Sequence, residues 1–335
     1  MAAGEVVVPR GFEHPDRGWV HCPANCLLAA HLRGVGLRVR TVDAVISPGR
    51  GEPGEALLLA MSYVDIDGFA VGLGAAAQAV DHVGIAAIED AVGIWSGVVR
   101  TRRALLASPL SVAAAKGTAL AAERAREFAD RGDTVLVVGQ AGRAASEVLA
   151  RAPHATALIT STTRARTATA PAPEKVSFVV APGIAIEDAV DIVAVLRARF
   201  PSLRGQYPGE FCYEASDQRE AVRSVTAASD LVLICDPDGD SATQEMVRSI
   251  GSGAPGVRRL TQTGQICAQW LTDVATVGLV STSPGGERLA WEVVAALSGL
   301  GPLAVATRAV STAHLAVGGR TVADSQVLAG SLSGR

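Results

Sequence analysis

Between Leu105 and Leu300 the chain alternates short apolar runs with longer stretches of helical periodicity, and this alternation restricts its fold more than any other feature. Leu105–Ala107 and Thr134–Val138 read as buried strands, and Val176–Val180, Leu231–Cys235, Val257–Leu260 and Thr276–Val280 also read as strands. Ala113–Arg131, Ser146–Ala150, Glu187–Arg199, Glu214–Ala228, Ser241–Ile250, Ile266–Trp270 and Glu287–Leu300 read as helices, with Gly132 ending the first. Thr163–Lys175, rich in Thr, Ala and Pro, reads as a loop. Strands alternating with helices predict an α/β fold of small parallel sheets flanked by helices. In such sheets ligands sit beyond the carboxyl ends of the strands, so the loops after Val138, Cys235 and Val280 are where chemistry is to be sought.

Three zones follow from this pass: residues 1–103, 104–202 and 203–335. The first opens with a strand, Glu5–Pro9, then a loop rich in His, Pro, Asp and Gly. A helix is expected at Asn25–Arg33 and a strand at Leu37–Val42. Ala56–Val64 and Phe69–Leu73 flank Asp65-Ile66-Asp67-Gly68, a strong hairpin signal because Gly accepts positive φ cheaply. Gly84–Val99 should be a helix, and the tail from Ala304 reads as strand-like pieces with a frayed end.

With 335 residues, 49% of them hydrophobic, the chain can bury a sizeable core. Its net charge of −3, its lack of a Lys/Arg run and its 4% aromatic content argue against a nucleic-acid partner. No apolar run is long enough to span a bilayer, and Met1–Val8 does not look like a signal peptide, so a cytoplasmic protein without a membrane partner is expected. A homo-oligomer stays open. Five cysteines, Cys22, Cys26, Cys212, Cys235 and Cys267, argue against a disulfide framework and leave thiols for metal or for nothing.

Four stretches carry candidate chemistry. Asp236-Pro237-Asp238-Gly239-Asp240-Ser241 follows a strand and precedes a helix. Its alternate carboxylates Asp236, Asp238 and Asp240 could hold Mg²⁺, a hard ion that prefers oxygen, and so anchor a diphosphate and help it leave. The plainer reading is a polar turn with Asp240 or Ser241 capping the next helix. Gly139-Gln140-Ala141-Gly142-Arg143 could cradle an anion with backbone N–H groups while Arg143 pairs with it, or could be a tight turn. Cys22 and Cys26, with His21 and His31 nearby, have zinc-like spacing but lack a second matching pair. Gly72-Leu73-Gly74-Ala75-Ala76-Ala77 is a weak dinucleotide-type fingerprint. Trp95, Trp270 and Trp291 lie on helical stretches and read as core, interface or the wall of an apolar pocket.

From Val176 onward the chain resembles the LytB/IspH family, the 4-hydroxy-3-methylbut-2-enyl diphosphate reductases. The resemblance rests on Val176-Ser177-Phe178, on Asp188–Arg199 with Phe200-Pro201, and on Phe211-Cys212-Tyr213-Glu214-Ala215-Ser216-Asp217-Gln218-Arg219. Ser229–Ile234, Trp270-Leu271, Val277-Gly278 and the helix to Gly301 continue it, for a coverage of roughly Leu105 to Arg308 with gaps. It implies a multi-lobed arrangement of small parallel sheets and a [4Fe–4S] cluster held by three cysteines, since thiolates are soft anionic ligands to iron. Of these only Cys212 stands in place. Ser108 occupies a second cysteine position, and alternative registers put Ala113 or Glu13 at the first. The diphosphate motifs are altered too. Gln140 stands for a histidine, Val180-Ala181-Pro182-Gly183 for a Thr-Gln-Thr-Thr run, Asp240-Ser241-Ala242 for Ser-Ser-Asn, and Thr282-Ser283-Pro284-Gly285-Gly286 for Gly-Ala-Ser-Ala-Pro. Hydroxyls remain at Ser241, Thr243 and Ser283. The expectation is a small phosphorylated isoprenoid-like ligand, bound by Gln140, Gly142, Arg143, Ser241, Thr243 and Ser283 and handled without reductive cluster chemistry. A reductase with unusual ligands and an inactive paralogue acting as a scaffold are the rival readings. Cys212, at a helix start where a thiol pKa falls, is the residual cluster-ligand position or else an inherited apolar cysteine.

Overall fold

The computed structural model describes residues 5–44, 56–107, 114–239, 256–281, 283–317 and 320–331. The chain divides into two compact units, one of residues 1–107, 224–307 and 330–335, the other of residues 108–223 and 308–329.

The N-terminal sheet of the first unit contains β1 (Glu5–Pro9), β2 (Gly11–His14), β3 (Gly18–His21), β4 (Arg38–Val42), β5 (Ala56–Val64) and β6 (Ala70–Gln78), with helices α1 (Asn25–Gly34) and α2 (His82–Ser96). Its order is β2-β3-β6-β1-β4, with β5 also paired to β6. The β5–β6 hairpin forms at the expected turn, where Gly68 takes φ +85°. The segment between Pro9 and Asn25, expected as loop, is the hairpin β2–β3. Strand β6 runs past the expected end at Leu73 to Gln78, which overturns the dinucleotide reading of Gly72–Ala77. A Cβ on Gly72 would lie 2.3 Å from the Met61 carbonyl oxygen, so this glycine serves strand packing rather than a phosphate turn. Strand β7 (Arg102–Ala107) follows and belongs to the C-terminal sheet described below.

The second unit is built from α3 (Ala114–Asp130), β8 (Thr134–Val138), α4 (Arg143–Leu149), β9 (Thr156–Ile159), α5 (Thr162–Thr167), β10 (Val176–Val180), α6 (Ile186–Arg199), β11 (Arg204–Gly205) and the start of α7 (Glu214–Ala227). The strands form a four-stranded, wholly parallel sheet in the order β11-β10-β8-β9. Alternation along β8 sends Leu136 and Val138 to one face, with α5 and α6, and Val135 and Val137 to the other, with α3 and α4. The Thr163–Lys175 loop contains helix α5, whose first turn the Ser161 hydroxyl caps by accepting from the Arg164 N–H.

The remaining elements are β12 (Leu231–Cys235), β13 (Val257–Leu260), β14 (Thr276–Ser281), α8 (Pro284–Ser298), β15 (Leu303–Val317) and β16 (Arg320–Ser331). The C-terminal sheet runs β13-β12-β14-β7-β15-β16, with β13, β12, β14 and β7 parallel. Strand β7, expected to open the middle zone, is thus an interior strand here. Ile266–Trp270, expected as a helix, is split between the short 3-10 turns Thr263–Gln265 and Ala268–Leu271. The expected helix Ser241–Ile250 lies outside the described residues. The first unit shares one core in which Leu27, Trp95, Leu233, Leu279 and Val293 are buried. Arg102 is buried at its margin, donating to the carbonyls of Val98, Leu271 and Leu300, and burial pushes its pKa down to about 10. No described helix is long and apolar enough to cross a membrane.

Candidate functional site

Parallel strands bring their carboxyl ends to one edge of a sheet, so each unit gathers its candidate residues along such an edge. In the first unit the loops after β12 and β14 lie side by side. Asp236 is buried, and its Oδ2 lies 2.7 Å from the Arg259 guanidinium while its Oδ1 accepts from the Gly239 N–H at 2.9 Å. Pro237 and Gly239, at φ +75°, complete a tight turn. This is the polar-turn reading, with an arginine clamp added. That carboxylate, expected as a metal ligand, is paired here with a cation and an amide. Asp240, Ser241 and Thr243 lie outside the described residues. Among those described, no group of three His, Cys, Asp or Glu side chains is gathered closely enough to hold a metal ion.

Across from this turn, the Ser283 hydroxyl caps α8 by accepting from the Gly286 N–H at 3.1 Å. A Cβ on Gly286 would stand 2.4 Å from the Cys235 carbonyl oxygen, and one on Gly285 would stand 2.8 Å from Asp238 Oδ2. The paired glycines therefore let the first turn of α8 sit against the end of β12. The exposed Asp238 carboxylate lies beside that turn, where the helix dipole favours negative charge. Anything anionic bound there must contend with Asp238.

In the second unit, the edge brings together the loops after β8, β9, β10 and β11. Gln140, Gly142 and Arg143 are all exposed. Arg143 donates to Glu147 at 2.8 Å along its own helix, and Gly142 has an extended backbone that any residue adopts. Gly139 is the constrained glycine, since a Cβ there would meet that of Ala181 at 3.0 Å. The arrangement is that of a tight turn, with Arg143 turned to a neighbouring carboxylate.

Cys212 lies nearby in sequence to α7, packed where α3 and the loop after β10 converge. A Cβ on Gly117 would meet the Cys212 Cβ at 2.9 Å and Pro182 Cγ at 3.1 Å. The Cys212 thiol donates to Glu214 Oε2 at 3.8 Å. Burial first, and then the Glu214 carboxylate, raise its pKa, outweighing the nearby Glu214 N–H. The expectation of a thiol acidified by a helix start is thus corrected. Cys212 is also the sole cysteine in its unit.

The other thiols divide in the same way. Cys22 packs with Phe12, Val20 and Ala70, Cys235 lies in the main core, and burial pushes both up to about 12. The Cys26 thiol donates to the Pro23 carbonyl, and burial raises its pKa as well. His31 stacks edge-on against the buried Trp95. The Cys22–Cys26 stretch is therefore packing and not a metal set, while Trp270 lies under the Arg258 guanidinium and Trp291 is partly exposed. Among the described residues, neither unit by itself gathers three thiols around a common point. Two residues that local pattern does not flag organise the edges: Arg259, which neutralises Asp236, and the buried Gln206, which accepts from the Val180 N–H and donates to the Glu210 carbonyl.

The family model described as LytB protein matches residues 118–298. Over 193 residues the chain is 31% identical to 4-hydroxy-3-methylbut-2-enyl diphosphate reductase 2 of Mycobacterium bovis, covering 57% of this chain and 58% of that protein. The reductase of Burkholderia pseudomallei is 29% identical over 185 residues, covering 54% of this chain and 58% of its own length. The chain thus spans under two thirds of the length of these curated relatives. Among solved structures, the E-1-hydroxy-2-methyl-but-2-enyl-4-diphosphate reductase from Plasmodium falciparum aligns with a TM-score of 0.47 at 16% identity, covering 61% of this chain and 70% of that one. With the family match running over more than half of its length, the chain belongs to the LytB protein family.

Proposed function

We propose that this chain is a prenyl-diphosphate-binding LytB-family protein of isoprenoid metabolism that works without [4Fe–4S] reductive chemistry. The ligand class comes from the names of its relatives, which act on an allylic diphosphate. The observation that carries the second half is the state of the thiols. The family resemblance implies a cluster held by three thiolates, soft anionic ligands to iron. Here Cys212 stands beside a carboxylate, and Cys22 and Cys235 are apolar core residues with raised pKa values. Metal-assisted ionisation by the three acids loses its first ligand to Arg259. The reading therefore keeps the diphosphate and not the magnesium ion, and it places the diphosphate at the first turn of α8 near Ser283.

The rival reading, a reductase with unusual ligands, is favoured by the reductase names of the relatives. Protein purified without oxygen separates the two. Near-stoichiometric iron and acid-labile sulfide would return the reductase reading. Iron-free protein that binds 4-hydroxy-3-methylbut-2-enyl diphosphate in a calorimeter supports the proposal, and iron-free protein that does not bind it sinks the ligand assignment.

A further inference from the structure

The second unit holds a groove of about 490 Å³, in the size range of small-molecule sites, which includes Gln206 in its lining. One wall is a stripe of α6. Ile186, Ala189, Val190, Val193, Ala194 and Arg197 recur at helical spacing, so a single face of the helix lines the groove from end to end. Eleven residues separate the ends of that stripe, about 16 Å at the rise of an α-helix. The groove is long for its volume and suits a chain-like ligand.

Three aromatic side chains, Phe178, Tyr207 and Phe211, complete the lining. A Cβ on Gly205 would lie 2.1 Å from the Phe178 ring, so the glycine lets that ring approach the edge strand closely. This part of the lining is held in place before any ligand arrives. Gln206 ties it to β10 and to the Glu210 carbonyl, and the Glu210 carboxylate is paired with Arg124. Val190 and Tyr207 are 57% and 52% exposed, apolar surface left open to water along the groove.

The charge is at one end only. Arg197 is the single charged residue lining the groove, and among the described residues it has no ion pair or hydrogen bond. One cation at the end of an apolar trough matches one negative charge, and a guanidinium matches a carboxylate in a two-point geometry. A diphosphate, with more charge, would call for more than one cation.

We propose that this groove binds a medium-chain carboxylate, its acyl chain along the α6 stripe and its headgroup on Arg197. The site is independent of the diphosphate reading, and either can fail alone. Calorimetry on the full chain with decanoate, decanol and geranyl diphosphate tests it. Decanoate should bind, with decanol about tenfold weaker or more. Arg197→Glu should weaken decanoate about tenfold or more while leaving decanol unchanged. Ala194→Trp, which fills the groove from an exposed position, should abolish both. Geranyl diphosphate that displaces decanoate and binds as tightly would overturn the headgroup assignment. Decanoate binding indifferent to both substitutions, or no binding at all, would overturn the site. So would a dimer that Ala194→Trp converts to monomer without any decanoate binding in the wild-type chain, which would assign the groove to a second copy. Arg197 is exposed, so its variant should stay folded if the tryptophan variant does not.

Discussion

Asp236 and Arg259 hold each other across adjacent parallel strands, the aspartate 1% exposed and the guanidinium 2.7 Å from its Oδ2. Each comes from the end of a strand, so the pair fastens β12 to β13 at the carboxyl edge of the sheet. Removing the cation leaves a buried carboxylate uncompensated. Arg259→Leu should destabilise the fold by about 2–4 kcal/mol, somewhat under the full cost of breaking a buried pair because Arg259 is 40% exposed. Asp236→Asn combined with Arg259→Leu should cost less than the arginine change alone. Urea unfolding of the three variants measures the difference, and simple additivity would show the pair to be uncoupled.

Asp238 supplies a direct test of how the first turn of α8 is used. If a diphosphate binds there unaided, the Asp238 carboxylate repels it. Asp238→Asn should then tighten binding of a prenyl diphosphate by about five- to tenfold. A metal bridging acid and phosphate predicts the reverse, a loss of affinity that appears only when Mg²⁺ is added. Calorimetry with and without Mg²⁺ decides between them.

Cys22 and Cys235 make stability depend on pH in a stated direction. Their folded pKa values, raised to about 12, exceed the ordinary thiol value of 9.0. Above about pH 9 the unfolded chain releases thiol protons that the folded chain keeps, so the unfolded state binds fewer protons and stability falls as pH rises. Each thiol contributes a slope of up to about 1.4 kcal/mol per pH unit between those values. Urea unfolding at pH 8 and pH 10 should show a smaller drop in the Cys22→Ala, Cys235→Ala double variant than in the parent chain. An equal drop would mean the thiols titrate normally.

Two glycines of the candidate motifs should behave oppositely. Gly286→Ala drives a methyl group toward the Cys235 carbonyl oxygen, and overpacking of that kind costs about 1–3 kcal/mol. Gly142→Ala meets nothing within 4 Å on an extended backbone and should stay within about 0.5 kcal/mol of the parent. Thermal unfolding of both variants gives the comparison.

Cys212 should be a sluggish nucleophile. Its thiol is raised by burial and by Glu214, so alkylation by iodoacetamide at pH 8 should be slower than that of a free peptide thiol. Glu214→Gln should speed it severalfold by removing the nearer charge. A fast parent rate would place a cation near Cys212 that the described residues do not contain.

Local pattern was enough to locate much of the architecture. Thr134–Val138, Val176–Val180 and Leu231–Cys235 are strands at the residues expected, because short, mostly apolar runs between turn signals leave a buried strand as the economical arrangement. The Phe211–Arg219 stretch pointed to the LytB family from side-chain identity alone. What local pattern could not supply is who meets whom across the sheets. Gly72 and Gly74 read as a phosphate turn until β5 lies against them, and strand β7 read as the start of the middle zone until it pairs with β14. The acids at Asp236 and Asp238 read as one metal loop. Only the register of β13 on β12, which brings Arg259 opposite Ile234 and beside Asp236, neutralises the first, and only the close approach of α8 sets the second against a helix terminus. Short-range periodicity decides which elements form, since it depends on neighbours in the chain. Charge compensation, thiol acidity and the groove along α6 depend on residues far apart in sequence, so tertiary packing alone decides them.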